Sequence, residues 1–330
     1  MNKKARLSTN TKIILGIIGG FILALVVIPV LFALFLTIRP DSSVPTIFYE
    51  AVEVIEEEDN FYITVYRTET SEFQKMEFER YLIGVVAAEM PALFELEALR
   101  AQAIAARTYA MRILEHDDYI LDTVRHQVFL DDDQLRERWN DDFEIHFLKI
   151  KEAVTSTNGI VLTYDGELIT PMFFAMSSGA TENSEDVFPT KRPYLRSVAS
   201  TGYENRTDFA VSETFTIDEL KRAFDDNSIT ADNVSVLGHS EGGNVDEVAI
   251  GEKTYTGRDL REILGLRSAA FSISNSRRGI TFTTYGHGHG VGMSQHGANV
   301  MAHDGHDYVA ILQHFYQNVT LMEKNFTNGE

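Results

Sequence analysis

Residues 13–38 form an uncharged run dominated by Ile, Leu, Val and Phe, and nothing later in the chain repeats that pattern. At about 1.5 Å of rise per residue, a helix of that length crosses a hydrocarbon core of about 30 Å with tilt to spare. The spacing therefore predicts a single transmembrane helix over 13–38. Further on, "FYITVY" from Phe61 alternates apolar and polar positions as a half-buried strand does. From Glu77 the period becomes helical in "EFERYLIGVVAAEM", with Phe78, Leu82, Val85 and Val86 on one face. Pro91 disfavours helical backbone at the residue before it, so that helix is expected to stop near Glu89 or Met90. A second helix, about residues 95–115, places Leu99, Ala103, Ala106, Ala110 and Ile113 on one face. Its alanines favour the helix and admit a close neighbour.

Residues 131–142 read as an irregular charged stretch. "GIVLTYDGELITPMFFAMSSGATEN" reads as a hairpin turning at Asp165-Gly166, with a second strand running toward Ser177 and Ser178. Thr216 with Glu219 spells a capping box for "IDELKRAF", and Thr256 with Gly265 brackets "TGRDLREILG". Helices, then a hairpin, then mixed segments do not alternate as β-α units do. The expected fold class is α+β, a mixed helix and antiparallel-sheet domain behind the membrane helix. The expected domain order is a cytoplasmic tail at 1–12, the membrane helix at 13–38, a linker at 39–60 and a folded outer domain at 61–330. Residues 211–271 form a possible peripheral lobe within that domain.

Charge refines this layout. Lys3, Lys4, Arg6 and Lys12 precede the apolar run with no acid among them, which orients the N-terminus to the cytoplasm and the domain outside. A cleaved signal peptide is the rival reading. The run exceeds an ordinary signal core and no small-x-small site closes it, which favours a retained anchor. The chain carries a net charge of −20, so nucleic acid is excluded as a partner on electrostatic grounds. It has no cysteine, which removes disulfides, thiolate chemistry and Cys-ligated zinc.

Three segments carry candidate chemistry. Glu89 is either a solvated helix acid or a general acid. Apolar neighbours and the negative end of a helix dipole both favour its protonated form, as an acid working near neutral pH requires. "YGHGHGVGMSQHGA" sets His287, His289, Gln295 and His296 among glycines. It is open to three readings: a metal site using His287 and His289 on one side of an extended segment, a substrate loop, or a glycine-rich turn with satisfied histidines. "MSSGATEN" lacks the G-x-S-x-G of a nucleophile elbow, so Ser177 and Ser178 read better as hydrogen-bond donors lining a groove.

Together, "YLIGVVAAEMP", "EALRAQAIAARTYA", "SSGATEN", "PYLRSV", "GRDLREILGLRSAAFSI" and "YGHGHGVGMSQHGA", in that order, resemble the stage II sporulation protein D family of membrane-anchored peptidoglycan lytic transglycosylases. Amidase enhancer proteins share the domain. The resemblance implies that Glu89 is the catalytic acid and that Gln102, Arg107, Tyr109, Ser177, Ser178, Tyr203, His287, His289, Gln295 and His296 border the substrate groove. It implies peptidoglycan glycan strands as substrate, and a peptidoglycan amidase and a further membrane protein of the engulfment machinery as partners. It also implies a place at the sporulation septum. No metal and no cofactor is expected, since the cysteines through which some relatives bind zinc are missing. The family often has two glycines after the serines, where this chain has Gly179-Ala180.

Overall fold

The computed structural model describes residues 61–276 and 279–326. The transmembrane expectation at 13–38 and the tail and linker around it lie outside the described residues. Among those residues no helix is long and apolar enough to cross a membrane.

The described chain is a mixed α+β fold whose sheets are mostly antiparallel. Strand β1 (Tyr62–Arg67) pairs antiparallel with β2 (Glu72–Glu77), and β2 hands over directly to helix α1 (Phe78–Glu89). The Glu77 carboxylate caps that helix by accepting from the Glu79 and Arg80 N–H groups. At the other end Met90 is extended, at φ −121° and ψ 142°, as expected of a residue before proline. Pro91 thus fixes Glu89 as the last helical residue.

Helix α2 (Leu96–Leu114) is the central post of the molecule, and it is not one-sided as its alanine stripe suggested. Ala98, Ala101, Ala103, Ala105, Ala106 and Ala110 are all buried. They let α1, α4 (Phe143–Thr155), α8 (Gln295–His303), α9 (Tyr308–Phe315) and strand β4 (Ile160–Tyr164) approach it from several sides.

Within the stretch expected to be irregular, helix α3 (Asp132–Trp139) forms, because Asp131 and Gln134 close a reciprocal capping box at its start. Only Leu135 of that helix is buried, so its hydrophobic pattern is too thin to read. The hairpin turns at Asp165-Gly166 as the sequence suggests, but its second arm, β5 (Glu167–Leu168), stops early. Pro171 lacks an N–H for a ladder, and the Thr170 N–H goes to the Tyr194 hydroxyl instead. The chain then forms β6 (Phe173–Phe174), which runs parallel to β13 (Met293–Ser294). That pairing brings the serine segment and the glycine-rich segment side by side across more than a hundred residues of sequence.

A second, smaller core gathers Leu220, Val234, Val248, Leu260, Phe271 and Phe282. It is enclosed by α6 (Ile217–Phe224), α7 (Gly257–Leu264), the sheet of β8 (Val234–His239), β9 (Val245–Ile250) and β10 (Lys253–Tyr255), and the sheet β11 (Phe271–Ser276), β12 (Gly279–Tyr285) and β7 (Ala210–Phe215).

One close approach matters for the site. A Cβ added at Gly84 of α1 would meet the Leu130 carbonyl oxygen and the Phe129 ring, each at 2.4 Å. The strap through residues 127–130 therefore lies directly on the helix that carries Glu89. Gly84→Ala is expected to cost about 1–3 kcal/mol and to lift the strap, read as a lower midpoint in urea unfolding.

Candidate active site

Glu89 sits half-buried at the end of α1. Burial raises its carboxyl pKa, and hydrogen bonds from the Val128 backbone amide and the Gln295 side chain only partly offset that rise. The strap places Val128. Gln295 is the first residue of α8, whose start is capped by Ser294 accepting from the Gly297 N–H. Gln295 in turn donates to the Gln102 side-chain oxygen of α2 at 3.4 Å. Two elements remote in sequence, the strap and the start of α8, thus meet on one carboxyl.

Two amide groups around it are buried with an unpaired NH2, those of Gln102 and Gln127. The Tyr81 hydroxyl donates to the Gln127 side-chain oxygen at 3.4 Å, and the Tyr81 ring stacks on Phe129. Tyr109 lies two turns beyond Gln102 on the same helix face. It is half-buried, and burial raises its phenol pKa.

The other expected groove residues separate into distinct settings. Arg107 is not at a groove. It is fully buried, pairs with Glu79 through both Nε (2.8 Å) and Nη2 (2.6 Å), and donates to the Ile160 and Val154 carbonyls at 3.2 Å each. A guanidinium in the interior of α2 requires partners on all sides, and the fold supplies them.

Ser177 and Tyr203 are buried as well. The Ser177 hydroxyl lies 2.6 Å from the Tyr203 hydroxyl and donates to the Ser200 carbonyl at 2.9 Å. Ser200 and Ser294 complete this network, which ties the loop before Tyr203 to the start of α8. Both residues therefore brace the site rather than face a ligand. Ser178, the next residue, is half-exposed in a separate cleft beside Gly243.

The glycine-rich loop is not extended. Gly286, Gly288, Gly290 and Gly292 have φ of 73°, 119°, 87° and 80°, a backbone that side-chain-bearing residues rarely adopt. The two imidazoles consequently go to different partners. His287 is exposed with Nδ1 3.4 Å from Arg267, and partial desolvation together with that guanidinium lowers its pKa. His289 accepts from the Val291 N–H at Nδ1 and donates from Nε2 to the Phe173 carbonyl, both at 3.1 Å. Burial pulls its pKa down to about 4, so it is neutral at pH 7. His296 packs edge-on against Phe94 and is likewise held neutral by burial, with a pKa of about 4. Among the described residues no group of three or more His, Cys, Asp or Glu could hold a metal ion.

A family model described as Stage II sporulation protein matches residues 66–164, which include Glu89, Gln102 and the strap. "Stage II sporulation protein D" of Bacillus subtilis (strain 168) is 39% identical over 273 residues, covering 79% of this chain and 79% of that protein. The protein of the same name from Bacillus amyloliquefaciens is 38% identical over 270 residues, covering 79% of this chain and 78% of its own. The chain belongs to the stage II sporulation protein D family. A more distant relative, "Amidase enhancer" of Bacillus subtilis (strain 168), is 28% identical over 295 residues, or 73% of this chain and 40% of that protein.

Within this family member, sequence reasoning missed Gln127, Val128 and Glu79. None belongs to a recognisable spacing motif. The small residue at position 84 inside an apolar helix was the one available sign that a strap crosses there, and it does not say which segment supplies the strap.

Proposed function

We propose that the protein is a membrane-anchored peptidoglycan lytic transglycosylase of the sporulation septum, cleaving the bond between N-acetylmuramic acid and N-acetylglucosamine with Glu89 as its acid and base. A sporulation role in the cell wall follows from the family. The observation that supports the chemistry is the setting of Glu89. Its proton affinity is set by burial and by two amide donors, with no second acid among them.

Ordinary glycoside hydrolysis uses two carboxyl groups, one of them to activate water or to attack the sugar. A single carboxyl suffices where the sugar supplies its own nucleophile. Protonated Glu89 gives its proton to the glycosidic oxygen, and the C–O bond to the anomeric carbon breaks. The resulting carboxylate takes the proton of the muramic acid primary hydroxyl, whose oxygen closes on the anomeric carbon. The product is a 1,6-anhydromuramic end, no water is consumed, and Glu89 regains its proton. The Val128 amide and Gln295, which hydrogen-bond Glu89, and Gln102, which accepts from Gln295, are polar groups held beside the reacting carboxyl.

The reaction needs protonated Glu89, so the rate is held below the folded-state pKa and falls as pH rises through it. Because burial raises that pKa, the alkaline midpoint is expected above the ordinary carboxyl value of 4.5. Initial rates of anhydromuropeptide release between pH 4 and 9 measure it. A midpoint at or below the ordinary value would count against the assignment.

The amidase-enhancer relative favours one alternative, a groove that binds glycan and activates a peptidoglycan amidase without breaking a bond. The two roles are compatible, with the amidase and a further membrane protein as partners. Incubation of the purified protein alone with purified glycan strands separates them, since only the enzyme releases anhydro ends without an amidase present.

A further inference from the structure

A row of rings leads away from Glu89 that the proton transfers do not use. From Phe94, just past the Pro91 corner, ring centroids step 5.0 Å to His296, 6.0 Å to Tyr203, 6.3 Å to Phe209 and 6.1 Å to Tyr285. Phe94 and Tyr203 are buried and form a floor, whereas His296, Phe209 and Tyr285 are half-exposed above it. The row ends at an open cleft of about 450 Å³, walled by Tyr285, Ser178, His239, Glu241, Gly243 and Ser272.

This cleft has a built wall. Glu182 is 1% exposed, and its Oε1 accepts from the Ser240 hydroxyl at 2.9 Å and the Asn244 N–H at 2.8 Å, while its own N–H donates to the Gly290 carbonyl at 2.8 Å. It thereby pins the tip of the β8–β9 hairpin against the glycine-rich loop. The Tyr285 hydroxyl lies 3.2 Å from the Ser272 hydroxyl, which orients the ring, and Asn183 donates to Glu241 at 3.0 Å.

An aromatic face rimmed by hydroxyls, an imidazole and a carboxylate suits a pyranose ring, which has an apolar C–H face and an equatorial hydroxyl rim. The carboxylate and the net charge of −20 disfavour an anionic ligand. We propose that this cleft is a distal sugar subsite, with Tyr285 as its stacking platform and Glu241 and His239 as hydroxyl partners. It rests on the glycan-cleaving reading of Glu89. Four ring steps lie between Phe94 and the cleft, so the subsite is assigned to strands longer than a disaccharide.

The test uses the full chain carrying Glu89→Gln and titrates it calorimetrically with chitobiose through chitohexaose. Affinity is expected to rise with length. Adding Tyr285→Ala is expected to weaken chitohexaose roughly 3–10-fold while the chitobiose Kd stays the same. Should Tyr285→Ala fail to melt cooperatively, His239→Ala, exposed at the rim, provides the same comparison. Unchanged chitohexaose affinity, or an equal loss at every length, overturns the subsite and leaves the Glu89 reading standing. No binding at any length overturns the glycan reading itself, and the subsite with it.

Discussion

Glu89→Gln is expected to abolish release of anhydromuropeptides while leaving the fold intact. A positioned acid contributes about 10²–10⁴ in rate, and here the same group also serves as the base, so the loss should reach at least that range by mass spectrometry of digested cell walls. The variant carries a second signature that a bystander residue would not show. Burial raises the Glu89 pKa in the folded state, so the contribution of this carboxyl to stability is fully present below its unfolded pKa and is lost as pH rises through the folded value. Glutamine never ionises. The variant should therefore melt above the parent at pH 8 and together with it below about pH 4, where the carboxyl is protonated in both states. An inactive variant without that pH-dependent gain would mean that Glu89 is not held in the buried setting described here.

Arg107→Met is expected to have the largest effect on stability. Arg107 is wholly buried, and its loss leaves the Glu79 carboxylate without its paired guanidinium and takes one donor from each of the Ile160 and Val154 carbonyls. Breaking one side of a buried ion pair costs about 3–5 kcal/mol, a fall in Tm on the order of 10 °C for a domain of this size. The double substitution Arg107→Met with Glu79→Leu should recover part of that loss, because no uncompensated charge then remains. If Arg107 served a ligand instead, the single variant would keep its Tm and lose only glycan affinity.

These two residues show how unevenly the site could be read from sequence. Both stand in the blocks that carry the family resemblance, and both were expected beside the substrate. Local information was enough for Glu89, because Pro91 forces Met90 out of helical backbone and leaves the glutamate at the helix end. It was not enough for Arg107, whose partners come from α1, α4 and β4. The serines divide in the same way. Ser177 and Ser178 are adjacent, yet one is locked into the Tyr203 network and the other opens onto the ring-lined cleft. Alternation along a chain says that neighbours point apart, but not which of the two faces the interior once the strand has ended.

Alone, the amino-acid sequence determined the helices on either side of Pro91, the capping box at Thr216, the helix between Thr256 and Gly265 and the turn at Asp165-Gly166, all of which depend on residues within a few positions of one another, and, through six ordered blocks, the family. Tertiary structure alone decided that Gln295 and Val128 converge on Glu89, that Arg107 and Ser177 are buried braces, and that His287 and His289 part company. The first two outcomes rest mainly on contacts between segments far apart in the chain, and those of Arg107 and Gln295 are made where helix α2, lined with buried alanines, lets several elements close around it.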